Sequence, residues 1–155
     1  MRASWRFVLG FCVLPIGAMA ATPSGITTTE SAFVAALNGT NPLPFAALFA
    51  PQASITDTLP PFNWQGKAVP ARYFAALQAV VKAAGWADLQ LAPRGASTVL
   101  VDHTRAYDAV PLYVNYAVKG AKKQDSGFFT LTLSEIGKAW KITSATWTYT
   151  SPPPM

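Results

Sequence analysis

Seven acids and one histidine are spread over 155 residues, so acid–base chemistry has few carriers in this chain. Asp57 is the best placed of them. It closes the short stretch Ala53–Asp57, which reads as a strand with Ile55 on one face. It stands just before the Pro- and aromatic-rich run Thr58–Gly66 and a long helical pattern, all within Phe45–Leu77. A carboxylate at a strand end has two uses. It caps the loop backbone or faces solvent, or it stands at the mouth of a pocket between helices and sheet, where it can orient or deprotonate a small ligand. The residues alone leave both open.

The other polar candidates carry less. A metal site would need His103, the single histidine, plus carboxylates gathered by the fold, and Asp102 beside it alternates to the opposite face of a strand. No metal site and no cofactor are expected. Asp102, Arg105 and Asp108 read as a solvated turn between strands. No Gly-x-Ser-x-Gly elbow is present to make a serine nucleophile. Lys119, Lys122 and Lys123 read as a solvated hairpin loop rather than a nucleic-acid patch, so no nucleic-acid partner is expected.

The first twenty residues read as an address. Arg2 and Arg6 precede the apolar run Phe7–Ile16, and Ala18-Met19-Ala20 fits the small-x-small pattern of signal-peptide cleavage. The run is shorter than the roughly 20 residues a spanning helix needs. Residues 1–20 are therefore predicted to be a signal peptide cleaved after Ala20, on a secreted or periplasmic protein with no lasting membrane anchor. Cleavage removes Cys12, the only cysteine, and with it any disulfide, thiolate nucleophile or cysteine ligand. It also removes Arg2 and Arg6, leaving 10 of 12 basic residues against 7 acids, a mild net +3.

The remaining residues are enough for one domain with a core of its own. Residues 21–26 read as a flexible N-terminus, 27–150 as the domain and 151–155 as a Pro-rich tail. Thr27 and Glu30 have capping-box spacing and open a helix through Leu37, which Asn38-Gly39 closes. Asn41 caps a second short helix, with Pro42 in its first turn, that runs to about Phe49 and is stopped by Pro51. Pro60-Pro61 makes Thr58–Gly66 a loop. Pro70 starts a third helix whose apolar face carries Tyr73, Phe74, Leu77, Val80 and Val81, and Gly85 ends it. Everything after it reads as strand: Trp86–Ala92, Ser97–Asp102, Ala109–Lys119, Ser126–Glu135 and Lys138–Tyr149, the last two joined at Ile136-Gly137. Helices first and an antiparallel sheet afterwards predict an α+β fold, with N-terminal helices packed on a curved sheet.

This order resembles the NTF2-like superfamily, the cone-shaped, cystatin-like fold of ketosteroid isomerases and SnoaL-type cyclases. Leu48–Asp57 (LFAPQASITD) resembles its L-(F/Y)-A-x-D-A-x-(V/I)-x-D stretch, with Gln52 in place of an acid. Trp64–Val69 (WQGKAV) resembles its approach to the long helix, and Phe128–Leu133 with Lys138–Trp147 its closing hairpin. The resemblance implies a cone cavity for a small apolar molecule, with Asp57 in the place of the isomerase general base. It also implies dimerisation through the outer sheet face. The isomerases add a helix-1 tyrosine and a late-strand aspartate. Phe33 stands in the first place and cannot donate, and the second falls near Ser126 or Gly127, with Asp125 assigned to a loop. Trp64, Tyr73, Trp86, Tyr113 and Phe62 are the expected cavity aromatics, with Phe62 and Trp64 as its lid. Two functions remain: a ligand-binding or dimeric interaction module without turnover, or a small isomerase or lyase acting through Asp57.

Overall fold

The computed structural model describes residues 24–150. The signal-peptide and tail expectations lie outside them. Three helices come first: α1 (Ser24–Leu37), α2 (Pro42–Ala47) and, after two strands, α3 (Val69–Ala83). The strands are β1 (Phe49–Thr56), β2 (Asn63–Trp64), β3 (Trp86–Pro93), β4 (Thr98–Asp102), β5 (Arg105–Val118), β6 (Ala121–Ile136) and β7 (Ala139–Tyr149). They form one sheet in the order β2-β1-β7-β6-β5-β3, with β4 also paired to β5. Every pairing is antiparallel except β1 with β7. The expected α+β architecture, helices on a mostly antiparallel sheet, is the one observed.

Local chemistry accounts for the boundaries. The Asn41 side chain accepts from Leu43 N at 3.0 Å, which caps α2 as its sequence predicts. The helix ends at Ala47 rather than Phe49, because Phe49 is taken into the sheet opposite Ile142. Pro51 falls where the β1–β7 register is broken between Phe49 and Ser54, so its missing N–H costs the ladder little there. α1 begins at Ser24, ahead of the expected capping box. Glu30 instead accepts from Ser97 Oγ at 2.8 Å. The β5–β6 hairpin turns tightly at Lys119 and Gly120, both with positive φ as a type I′ turn requires. Lys122, Lys123 and Asp125 are therefore strand residues and not loop, because the two-residue turn lets pairing start at once at Val118–Ala121.

The core is aromatic where the helices meet the sheet. Phe33, Phe45 and Phe74 are fully or almost fully buried. Phe33 meets Phe129 edge-on at 5.0 Å, and Phe45 lies 4.9 Å from Phe49 and 5.4 Å from Phe74. Each such ring contributes about 1.5–3 kcal/mol through burial alone. Phe33 is thus a structural residue, committed to packing.

One expectation fails in a way that matters. Asp108 is not in a solvated turn. It sits within β5 opposite Leu131, on the inner face with Ala106 and Val110, and is 0% exposed. A single polar residue in an otherwise alternating strand is carried inside by the ladder, whatever its charge. Neither of its oxygens has a hydrogen-bond partner among the described residues. Burial, reinforced by the nearby Glu30 carboxylate, pushes its pKa up to about 7.

Candidate functional site

The end of β1 is the centre of the site. The sheet holds Ile55 and Thr56 against β7 on one side and against Trp64 and Asn63 on the other. Asp57 then leaves the sheet, its backbone N–H donating to Phe62 O at 2.9 Å, while Phe62 N donates to Leu59 O at 2.9 Å. Trp64 Nε1 donates to the same Leu59 oxygen at 3.2 Å. The prolines between them make a compact turn that delivers the Asp57 side chain beside α3.

The carboxylate caps its own turn and also reaches across to α3. Oδ1 accepts from Thr58 Oγ1 at 3.0 Å and from Leu59 N at 3.3 Å, a local cap on the turn. Oδ2 accepts from the hydroxyl of Tyr73 on α3. Burial, and then the Asp57 charge, hold the Tyr73 phenol well above the usual tyrosine range, so this hydroxyl stays protonated and donates.

In front of this pair lies a cavity of about 240 Å³. Its walls come from α3 (Tyr73, Leu77, Val80), β3 (Trp86, Leu89, Leu91) and the inner face of the later strands (Val114, Phe129, Trp147, Tyr149). Leu37 and the turn Asp57–Pro60 complete it. Its polar side chains are Asp57, Thr58, Tyr73 and Tyr149. Burial is also the main cause that raises the Tyr149 phenol, with Asp57 and Asp125 adding to it.

Of the expected site residues, Asp57, Tyr73 and Trp86 line this cavity and Trp64, Tyr113 and Phe62 do not. Trp64 is buried against Tyr73, edge-on to it at 5.8 Å, with the Arg72 guanidinium over its ring at 5.8 Å. It supports the site without facing it. Phe62 has left-handed φ and is 60% exposed, outside the cavity walls, because the turn hydrogen bonds fix it at the tip. Tyr113 pairs with Ser126 and alternates to the sheet face opposite Val114. Sequence reasoning missed Tyr149, which only the register Gly127↔Tyr149 brings back over the inner face.

Asp125 is a second finding. It lies on β6, two and four residues before Gly127 and Phe129 on the same face, and accepts from Tyr116 OH at 2.9 Å. Burial and this bond push the Tyr116 phenol up to about 12. Trp86 stacks on Tyr116 with ring centres 4.3 Å apart, which fixes the cavity wall. Among the described residues no group of three or more His, Cys, Asp or Glu is arranged for a metal, and no helix is long and apolar enough to cross a membrane.

With the fold and cavity described, comparison with solved structures is direct. An NTF2-like protein with a cystatin-like fold from Novosphingobium aromaticivorans superposes with TM-score 0.67 at 14% identity, over 84% of this chain and 82% of that one. The chain has the NTF2-like, cystatin-like fold. A candidate scytalone dehydratase from the same organism matches with TM-score 0.65 and 14% identity over 83% of each chain. A candidate calcium/calmodulin-dependent protein kinase II association domain from Xanthomonas campestris matches with TM-score 0.66 and 19% identity, over 86% of this chain and 95% of that one. No protein-family model matches the sequence, and no curated protein matches it. An enzyme type and an association type share this scaffold, so the fold leaves the choice of function to the site.

Proposed function

We propose that this NTF2-like chain binds a small apolar ligand in the cavity between α3 and the inner sheet face, as a secreted or periplasmic protein. The observation that carries this reading is the cavity itself. It is larger than the roughly 150 Å³ space that admits benzene, and its polar groups converge on one side. Export rests on the N-terminal pattern Arg2, Arg6, Phe7–Ile16 and Ala18-Met19-Ala20. The test is a thermal-shift and calorimetric screen with small neutral aromatic and alicyclic compounds. A ligand that raises Tm in the native protein, and not in a Leu77→Trp variant with the cavity filled, supports the reading. No shift with any of them overturns it.

A second reading has one observation in its favour. Tyr73 brings to Asp57 the hydroxyl that Phe33 cannot supply, although from α3 rather than α1. Asp57 would then act as the base of an isomerase- or lyase-type reaction, with Tyr73 holding the carboxylate in position. Among the described residues no second acid lines the cavity to share the proton transfers, so binding without turnover is the better supported of the two. Any turnover found should vanish in Asp57→Asn, and turnover that survives excludes Asp57 as the base.

A further inference from the structure

The cavity has a charge sign, and the sign selects a ligand. The chain carries 12 basic residues against 7 acids, yet among the described residues no Lys, Arg or His lines the cavity. Its one ionisable acid is Asp57, which makes no salt bridge among the described residues. Asp125 adds a second carboxylate on the same side of the sheet, again without a cation bound to it. Arg72, next to Tyr73 in the chain, is engaged elsewhere. It lies over Trp64, which packs against Tyr73, and donates to Gln65 O and Lys67 O at 3.4 and 3.2 Å.

Asp57 also has acceptor capacity to spare. A carboxylate offers about four lone-pair positions, and three donors are in place: Thr58 Oγ1, Leu59 N and Tyr73 OH. What the site lacks is a further donor, and a positive one removes the uncompensated charge. The aromatic walls Trp86, Trp147 and Tyr149 suit a cation as well, since their ring faces attract positive charge.

Resting on the apolar-cavity reading above, the geometry points to a compact apolar amine as the ligand class, its ammonium group on Asp57 and its ring among Leu77, Leu89 and Trp86. A carboxylate of the same skeleton is disfavoured, because it would meet Asp57 with no cation to separate the two. A neutral alcohol can donate one hydrogen bond and falls between them.

The experiment compares 2-phenylethylamine, 2-phenylethanol and phenylacetate by calorimetry at neutral pH and low salt, on the purified protein. The amine is expected to bind at least about tenfold tighter than the carboxylate, with the alcohol intermediate. In Asp57→Asn the preference for the amine over the alcohol should disappear while the alcohol still binds. Equal affinities, or a tighter carboxylate, overturn the amine inference and leave the apolar cavity standing. Binding by none of the three overturns the cavity reading as well. The comparison on the unaltered protein decides the matter even if Asp57→Asn fails to fold.

Discussion

The hydroxyl of Tyr73 on α3 donates to Oδ2 of Asp57, so one hydrogen bond ties the long helix to the strand end sixteen residues earlier. The bond crosses the Pro-rich turn and fixes the one carboxylate that the described residues bring to the cavity. Removing one partner strands the other. Tyr73→Phe is expected to lower stability by about 1–3 kcal/mol, the range for a lost bond to a charged group. A cycle with Asp57→Asn, followed by chemical denaturation, should show strong coupling between the two changes. Simple additivity would mean that the bond contributes nothing.

Asp108 predicts the direction of the pH dependence. Its folded pKa of about 7 lies above the ordinary 3.8, so between those values the folded state holds a proton that the unfolded state has lost. Stability therefore falls as pH rises from about 4 to about 7, and this contribution levels off above that. At about 1.4 kcal/mol per pKa unit the loss is at most about 4 kcal/mol. Asp108→Asn removes the titration. At pH 8 it should be more stable than the native chain, and its unfolding free energy should change less between pH 4 and 8. An unchanged pH profile in urea titrations would count against this account.

Gly127 stands where no other residue fits. A Cβ there would run into the Thr148 carbonyl oxygen and come within 2.5 Å of Trp147 Cζ2. Its neighbours are a paired strand and a cavity wall, so neither yields cheaply. Gly127→Ala should cost at least about 1–3 kcal/mol and displace Trp147. Tryptophan fluorescence should shift with it, whereas Gly95→Ala, in open space, should leave both unchanged.

Association of two copies through the outer sheet face is the fourth expectation. That face presents Tyr107, 40% exposed, and the adjoining β4 carries Leu100, 63% exposed. Light scattering at micromolar concentration should give twice the chain mass, and Tyr107→Lys should return it to one. A monomer at that concentration rules this association out.

The fold was legible because its punctuation is strong: Asn41-Pro42, Gly85 and the long alternating strands are local signals. Half of the expected residues do line the cavity, since Asp57, Tyr73 and Trp86 sit on or at the end of elements with clear local signals. Phe62 and Trp64 do not, because their placement follows from turn hydrogen bonds rather than from pattern. Tyr113 failed on parity: one residue along a strand exchanges the cavity for the outside. Asp108 reads as a surface charge in any single sequence, and only the ladder between β4 and β6 carries it inside.

Among the described residues the one parallel pairing, β1 with β7, joins the first strand to the last. β1 holds the turn that carries Asp57, and β7 ends on Trp147 and Tyr149. A ribosome delivers these two segments about ninety residues apart, so the carboxylate and its aromatic wall meet only when the C-terminal strand is available. Non-local closure of this kind slows folding. A chain stopped short of Ser144 should therefore have helices but no cavity, because the partner positions of Ser54, Ile55 and Thr56 would be absent.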